Sequence, residues 1–337
     1  MRQSVFAGLS ALLWFSAWAH SAEPAKPFGH IERFDPALDQ IVSPDAQIEK
    51  LGEGFTWAEG PVWVHPGEYL LFTDVPENTV YRWSPGEGVR VFLRPSGYSG
   101  PDMGVLREAG ANGLFLERAG FLLLADSGNR MVARLDLEKK TKTPVAANYQ
   151  GKRFNSPNDV IRRSDGSIYF TDPPYGLKDL NDSPVKEIKF NGVYRVDAKG
   201  VVSLIDDQLT FPNGIALSPD ERTLYVANSD PKLPIWMAYS LDVGGKVTSK
   251  KVFADASDLL RKRAPGSVDG MKVSPDGHLF ASSPGGILIM TADGKRLGQI
   301  QTGDKIANCA FGDQGRYLYM TSHKIIARVR LRGGADL

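Results

Sequence analysis

One strand motif occurs six times along this 337-residue chain, and that repetition narrows the fold more than any other feature. It reads YLLFTDV (69–75), FLLLADSG (121–128), SIYFTDPP (167–174), TLYVANSD (223–230), HLFASSPG (278–285) and YLYMTSHK (317–324). Each copy is an apolar, β-branched or aromatic run ending in small, hydroxyl-bearing or acidic residues. A second short apolar run precedes each copy: PVWV (61–64), GLFL (113–116), DVIR (159–162), GIALS (214–218), GMKVS (270–274) and CAFG (309–312). Further β-type runs follow: VYRW, VARLDL, VYRVD, MAYSLD, ILIMTADG and IARVRL. Between the first two runs stand HPGE, SDGS, SPDE, SPDG and DQGR, the chemistry of tight antiparallel turns.

Units of about four strands predict an all-β fold, a six-bladed β-propeller over residues 47–332. A solenoid of parallel strands is the alternative, disfavoured because the turns read as antiparallel hairpins. The last unit runs out of chain after IARVRL, so QIEKLGEG (47–54) is expected to supply its outer strand and close the ring. DASDLLRKRA (255–264) reads as a short helix between units four and five. No Pro/Ser-rich linker divides 47–332, which leaves 23–46 as an N-terminal extension and 333–337 as a tail.

Residues 1–22 obey different rules. Arg2 precedes a largely apolar run from Ser4 to Ala19, too short to span a bilayer, with small residues at Ala19, Ser21 and Ala22. This predicts a signal peptide, a periplasmic or secreted mature protein, and no stable membrane insertion after cleavage. The whole chain carries Lys+Arg 40 against Asp+Glu 39, with no local basic run, so the electrostatic footprint of a nucleic-acid binder is missing. Cys309 is the only cysteine, which excludes an internal disulfide and a Cys-rich zinc site; in its apolar strand it reads as an inert buried thiol.

A polar residue introduces the inner strand of every unit: Glu59, Asn112, Asn158, Asn213, Asp269 and Asn308. Four of them precede glycine, in Glu59-Gly60, Asn112-Gly113, Asn213-Gly214 and Asp269-Gly270. Such pairs are also ordinary turn formers. Their recurrence at one position of six repeats argues instead for side chains converging at one mouth of a central channel. Carboxylates gathered there without compensation are costly to bury, and a bound cation removes the cost. Glu59 and Asp269 offer anionic oxygens, and Asn158, Asn213 and Asn112 neutral ones. Hard oxygen donors in flexible geometry favour Ca2+, with Mg2+ or Mn2+ as substitutes. Zn2+ fits less well, since the five histidines show no HExxH or HxH spacing.

EGPVW (59–63), ANGL (111–114), RFNSPNDV (153–160), FTDPPYGL (170–177), FPNGIALSPDERTLYVANS (211–229) and VDGMKVSPDG (268–277) together resemble the gluconolactonase family. This group includes senescence marker protein/regucalcin and luciferin-regenerating enzyme. The resemblance spans about 47–332 and looks closer to the bacterial gluconolactonases than to the animal members. It implies a six-bladed propeller with one divalent cation, usually Ca2+, in the channel, and hydrolysis of sugar lactones such as glucono-1,5-lactone. Carried over by motif, the metal ligands are Glu59, Asn158, Asn213 and Asp269, with Asp269 also the candidate general base. Some animal relatives have an arginine where this chain has Ser156, so a substrate contact is lost or moved, with Arg153 the nearest replacement. Their lid glutamate has no counterpart that can be placed in the different loop at 175–192.

A lactone is a cyclic ester, so its hydrolysis needs an activated water and stabilisation of a developing oxyanion. Asn112 and Asn158 are expected to contact the small-molecule lactone. Tyr175 and Trp57 can border a sugar ring or simply pack the propeller face. His323, ending the sixth strand motif, is a candidate donor to substrate as well as a candidate structural residue. No G-x-S-x-G elbow exists to support a serine hydrolase. Two rival functions share this design: a phosphotriesterase, in which a phosphoryl oxygen replaces the carbonyl oxygen, and a non-enzymatic binding propeller.

Overall fold

Each repeat folds into one antiparallel sheet whose strands pair in chain order, as short apolar runs joined by tight turns should. The structure, a computed structural model, describes residues 28–333, so the expected leader lies outside the described residues. Blade 1 contains Ala58–Val64, Tyr69–Asp74, Thr79–Ser84 and Gly88–Leu93. Blade 2 contains Leu114–Arg118, Phe121–Asp126, Met131–Asp136 and Lys142–Ala146. Blade 3 contains Val160–Arg162, Ile168–Asp172, Gly192–Val196 and Val202–Asp206. Blade 4 contains Pro212–Leu217, Thr223–Asn228, Ile235–Leu241 and Val247–Asp255. The inner three strands of blade 5 are Met271–Val273, Leu279–Ser283 and Gly286–Met290, followed by Arg296–Gln301. Blade 6 takes Asn308–Gly312, Tyr317–Ser322 and Ile325–Arg330 from the end of the chain.

The six-bladed all-β propeller is therefore the fold, and the antiparallel pairing removes the solenoid alternative. The second strands are buried on both sides; Tyr69–Asp74, for example, is fully buried beyond its first residue. They lack the alternating polarity of a half-exposed strand because each blade packs both faces against neighbours. Between blades 5 and 6 the contact is made by Phe280, Ile287, Ile289, Leu318, Met320 and Val329.

Closure comes from the N-terminal side. Ile48–Glu53 pairs antiparallel with Ile325–Arg330 and becomes the outer strand of blade 6, as its position in the sequence predicted. The segment before it does more than extend the chain. His30–Arg33 pairs with Arg296–Gln301 as a fifth strand of blade 5. The chain then crosses to blade 6 through a single 3-10 turn, Pro36–Gln40, which buries Leu38 and, just after it, Val42. HIER is too short and too polar to register as a strand in the sequence alone. The expected helix at 255–264 shrinks to Ser257–Arg261, anchored by buried Leu259 and an Asp258–Arg296 ion pair of 2.7 Å. Among the described residues no helix is long and apolar enough to cross a membrane.

Candidate functional site

The residues that end three of the second strands show what an Asp or Asn does at that position. The Asp74 carboxylate accepts the backbone N–H groups of Thr56 and Trp57 at 2.9 and 3.0 Å. Asp172 accepts those of Asn155 and Ser156, both at 2.8 Å. Asn228 accepts that of Phe211 at 2.9 Å. Each bond pins the two or three residues ahead of an inner strand, and so fixes the start of that strand at the channel mouth. Hydroxyls one position earlier tie blade to blade: Thr73 donates to the Asn112 carbonyl at 3.1 Å and Thr171 to that of Asn213 at 2.6 Å.

The glycines that follow the polar residues are not turn residues. A Cβ on Gly60 would lie 2.1 Å from the Asn112 carbonyl oxygen, and one on Gly270 2.0 Å from Asn308 Cγ. The chain needs glycine there because the next blade's site residue occupies the space. Blade 3 has Asp159 in that position, and its carboxylate accepts Val160 N–H at 2.9 Å and Ile215 N–H at 3.4 Å.

Five of the six polar residues line one cavity: Glu59, Asn112, Asn158, Asn213 and Asp269, joined by Trp57, Arg107, Glu108, Tyr175 and Ser267. The space is about 540 Å³ including its open mouth, which suits a small ligand. Asn308 stands behind Glu59, donating to its Oε2 at 3.3 Å, while Gly60 N–H donates to the same oxygen at 2.7 Å. Both bonds fall on Oε2, leaving Oε1 for the cavity. Asn213 is oriented from behind: its Nδ2 donates to Ser229 Oγ at 2.8 Å, and Ser229 in turn donates to the Val268 carbonyl. The Asn213 amide is thus anchored at the cavity wall. Asp269 Oδ1 is buried with no hydrogen-bond partner, an expensive arrangement for a carboxylate.

Burial pushes Glu59 up to about 7, with repulsion from Asp159 adding to it and the Gly60 N–H opposing it. Asp269 is raised well above the ordinary carboxylate range, first by burial, then by Glu59 and Asp159. Asp159 is raised by burial and relieved mainly by Lys272, whose ammonium donates to the Met271 carbonyl at 3.0 Å and lies 3.4 Å from Asn308 Oδ1. Three buried carboxyls therefore face one half-buried ammonium, and a divalent cation fits that deficit. Among the described residues, no three His, Cys, Asp or Glu side chains group closely enough to hold an ion by themselves. Any metal held here must take amide oxygens, which the cavity-lining Asn158 and Asn213 carry. The donor set is all oxygen, as Ca2+, Mg2+ or Mn2+ prefer.

Tyr175 borders the cavity and stacks on Phe211 at 5.6 Å between centroids. Trp57 lines it as well. His323 is not among the lining residues; it sits at the rim, 5.4 Å from the Trp57 ring, with Nδ1 2.9 Å from Asp304 Oδ2. Arg153 is exposed, its guanidinium donating to the Asn129 carbonyl at 3.3 Å, and does not line the cavity either. Ser156 braces a loop, donating to the Pro173 carbonyl at 2.6 Å and accepting Gly176 N–H at 2.9 Å. Cys309 is fully buried and its thiol is pushed up to about 12, mainly by that burial. No repeat or motif points to Arg107, Glu108 or Ser267, which stand on loops between blades. Asp159 was visible only as the departure from glycine in the third repeat.

Residues 57–324 match the model of the SMP-30/gluconolactonase/LRE-like region. The chain is 41% identical over 339 residues to a gluconolactonase of Zymomonas mobilis, covering 98% of this chain and 95% of that one. Its structure superposes with a TM-score of 0.78 on a gluconolactonase of Xanthomonas campestris at 29% identity, covering 93% of this chain and 99% of the other. A calcium-binding protein of Agrobacterium tumefaciens, a regucalcin, shares the fold with a TM-score of 0.66 at 18% identity, covering 86% and 95%.

Proposed function

The chain belongs to the SMP-30/gluconolactonase/LRE-like family, and from that premise we propose that it opens a sugar-lactone ring with a divalent cation held by Glu59, Asn158, Asn213 and Asp269. Lactone hydrolysis of the gluconolactonase type follows from the near full-length likeness to the Zymomonas enzyme. The observation that carries the metal is the buried, unpartnered Asp269 Oδ1 sharing a cavity with Glu59 and two asparagines. When bound, the cation supplies Lewis acidity toward the lactone carbonyl oxygen and the counter-charge that keeps both carboxyls ionised.

Asp269 then acts as general base, taking a proton from the water that attacks the carbonyl carbon. Asn112 and Asn158 offer amide groups to the substrate's hydroxyls and carbonyl, and Tyr175 with Trp57 bounds the ring. From residues 1–22 we further propose that the mature protein is exported and acts outside the cytoplasmic membrane.

Purified protein stripped of metal and assayed on a lactone panel and on a phosphotriester tests the reading. Glucono-1,5-lactone turnover should vanish on stripping and return best with Ca2+, with the phosphotriester turned over far more slowly. Asp269→Asn should retain metal and lose about 10²–10⁴ in kcat. Full activity in verified metal-free protein overturns the metal; near-normal turnover by loaded Asp269→Asn removes Asp269 as the base; dominant phosphotriester turnover reassigns the substrate.

A further inference from the structure

Two charged residues of the cavity, Arg107 and Glu108, have no part in the scheme above. They sit on the loop from blade 1 to blade 2, which is zipped onto the loop following the second strand of blade 3. Arg107 and Glu108 N–H both donate to the Gly176 carbonyl, at 2.9 and 3.3 Å, and Lys178 N–H donates to Val105 at 3.0 Å. Leu106 and Leu177 form a bridge between the loops. Backbone bonds on both sides therefore hold Glu108 at the cavity wall, where a flexible surface glutamate would wander.

Its side chain is only 12% exposed, and its one ionic partner among the described residues is Arg107, whose Nη2 lies 3.1 Å from Oε1. No hydrogen bond among the described residues engages Oε2. Tyr175, from the partner loop, is raised first by burial and then by Asp269, with Glu108 acting in the same sense, so these groups share one space. The titratable groups around Glu108 are thus Arg107 on its own loop, Tyr175 on the facing loop, and Asp269 and Glu59 across the cavity.

Ring opening releases an aliphatic alkoxide, a poor leaving group that needs a proton as the bond breaks. We propose that Glu108 is the general acid that delivers it. The water oxygen bonds to the carbonyl carbon while Asp269 takes a water proton; the ring C–O bond then breaks, its electron pair stays on the ring oxygen, and that oxygen takes the Glu108 proton. Solvent carries the Asp269 proton away and reprotonates Glu108, so the balance is lactone plus water giving the hydroxy acid. Burial supplies the required protonation state, pushing Glu108 up to about 7 against the opposing pull of Arg107. A carboxyl titrating near neutrality can both hold a proton at working pH and give it up. The inference rests on the lactonase reading.

The test compares two leaving groups. Glucono-1,5-lactone leaves as an alkoxide, whereas dihydrocoumarin leaves as a phenolate that needs no acid. Glu108→Gln should lose about 10²–10⁴ in kcat on the sugar lactone and less than about tenfold on dihydrocoumarin. Its calcium affinity by titration calorimetry should match that of the unaltered enzyme. Arg107→Met should move the alkaline limb of the kcat–pH profile to higher pH, because it removes the cation that favours ionised Glu108. Equal losses on both substrates, no loss on the sugar lactone, or an alkaline limb that stays or moves down in Arg107→Met overturns the proposal. An unaltered enzyme inactive on both lactones refutes the lactonase reading itself, and the role of Glu108 with it.

Discussion

Removing the metal should make the stability of this protein depend steeply on pH, in a direction set by the buried carboxyls. Glu59 has an ordinary value of 4.5 in the unfolded chain and about 7 in the folded one, because burial and Asp159 disfavour its charge. Below 4.5 it is neutral in both states and costs nothing. As pH rises from 4.5 to about 7 the unfolded chain releases a proton that the folded one retains, so stability falls by about 1.4 kcal/mol per pH unit. The loss from Glu59 is on the order of 3 kcal/mol by neutral pH, and Asp269, raised in the same direction, steepens it. In a domain of this size that amounts to roughly 5–10 °C in melting temperature. The assay is differential scanning calorimetry of metal-free and Ca2+-loaded protein from pH 5 to 8. The metal-free melting temperature should drop through this window relative to the loaded protein, and the gap should widen with pH. Parallel curves would refute the reasoning, since two carboxyls already neutralised by other protein groups would show no such divergence.

Three further outcomes can be checked directly. Gly270→Ala puts a methyl 2.0 Å from Asn308 Cγ and should cost about 1–3 kcal/mol in urea denaturation, whereas Gly104→Ala, with nothing within 4 Å of the added atom, should be near neutral. Ser229→Ala frees the Asn213 amide to rotate and should weaken calcium affinity about 10–100-fold by calorimetry, with little change in fold. Leu38→Ala, which empties a fully buried site under the N-terminal crossing segment, should destabilise by about 2–5 kcal/mol; an unchanged midpoint would show that the crossing segment is not part of the folded unit.

What the sequence by itself determined is whatever the repeat carries. Six copies of an apolar strand with its turns impose antiparallel blades, and a residue at one position of every copy, Glu59 through Asn308, must return to one axis. The chemistry of that position is legible because a propeller converts linear periodicity into spatial convergence. Tertiary structure alone decided the rest. Arg107 and Glu108 reach the cavity only because two inter-blade loops bond to each other, a pairing of residues some seventy positions apart with no periodic trace. His323, which ends a repeat as regularly as its counterparts, is drawn instead to Asp304 at the rim. HIER at 30–33 becomes a strand because Arg296–Gln301 offers it an open edge, not because four largely polar residues favour one. The protonation of the site is likewise absent from the sequence, since Glu59 is raised by burial and Asp159, and Asp269 by burial, Glu59 and Asp159, only once the blades have closed around them.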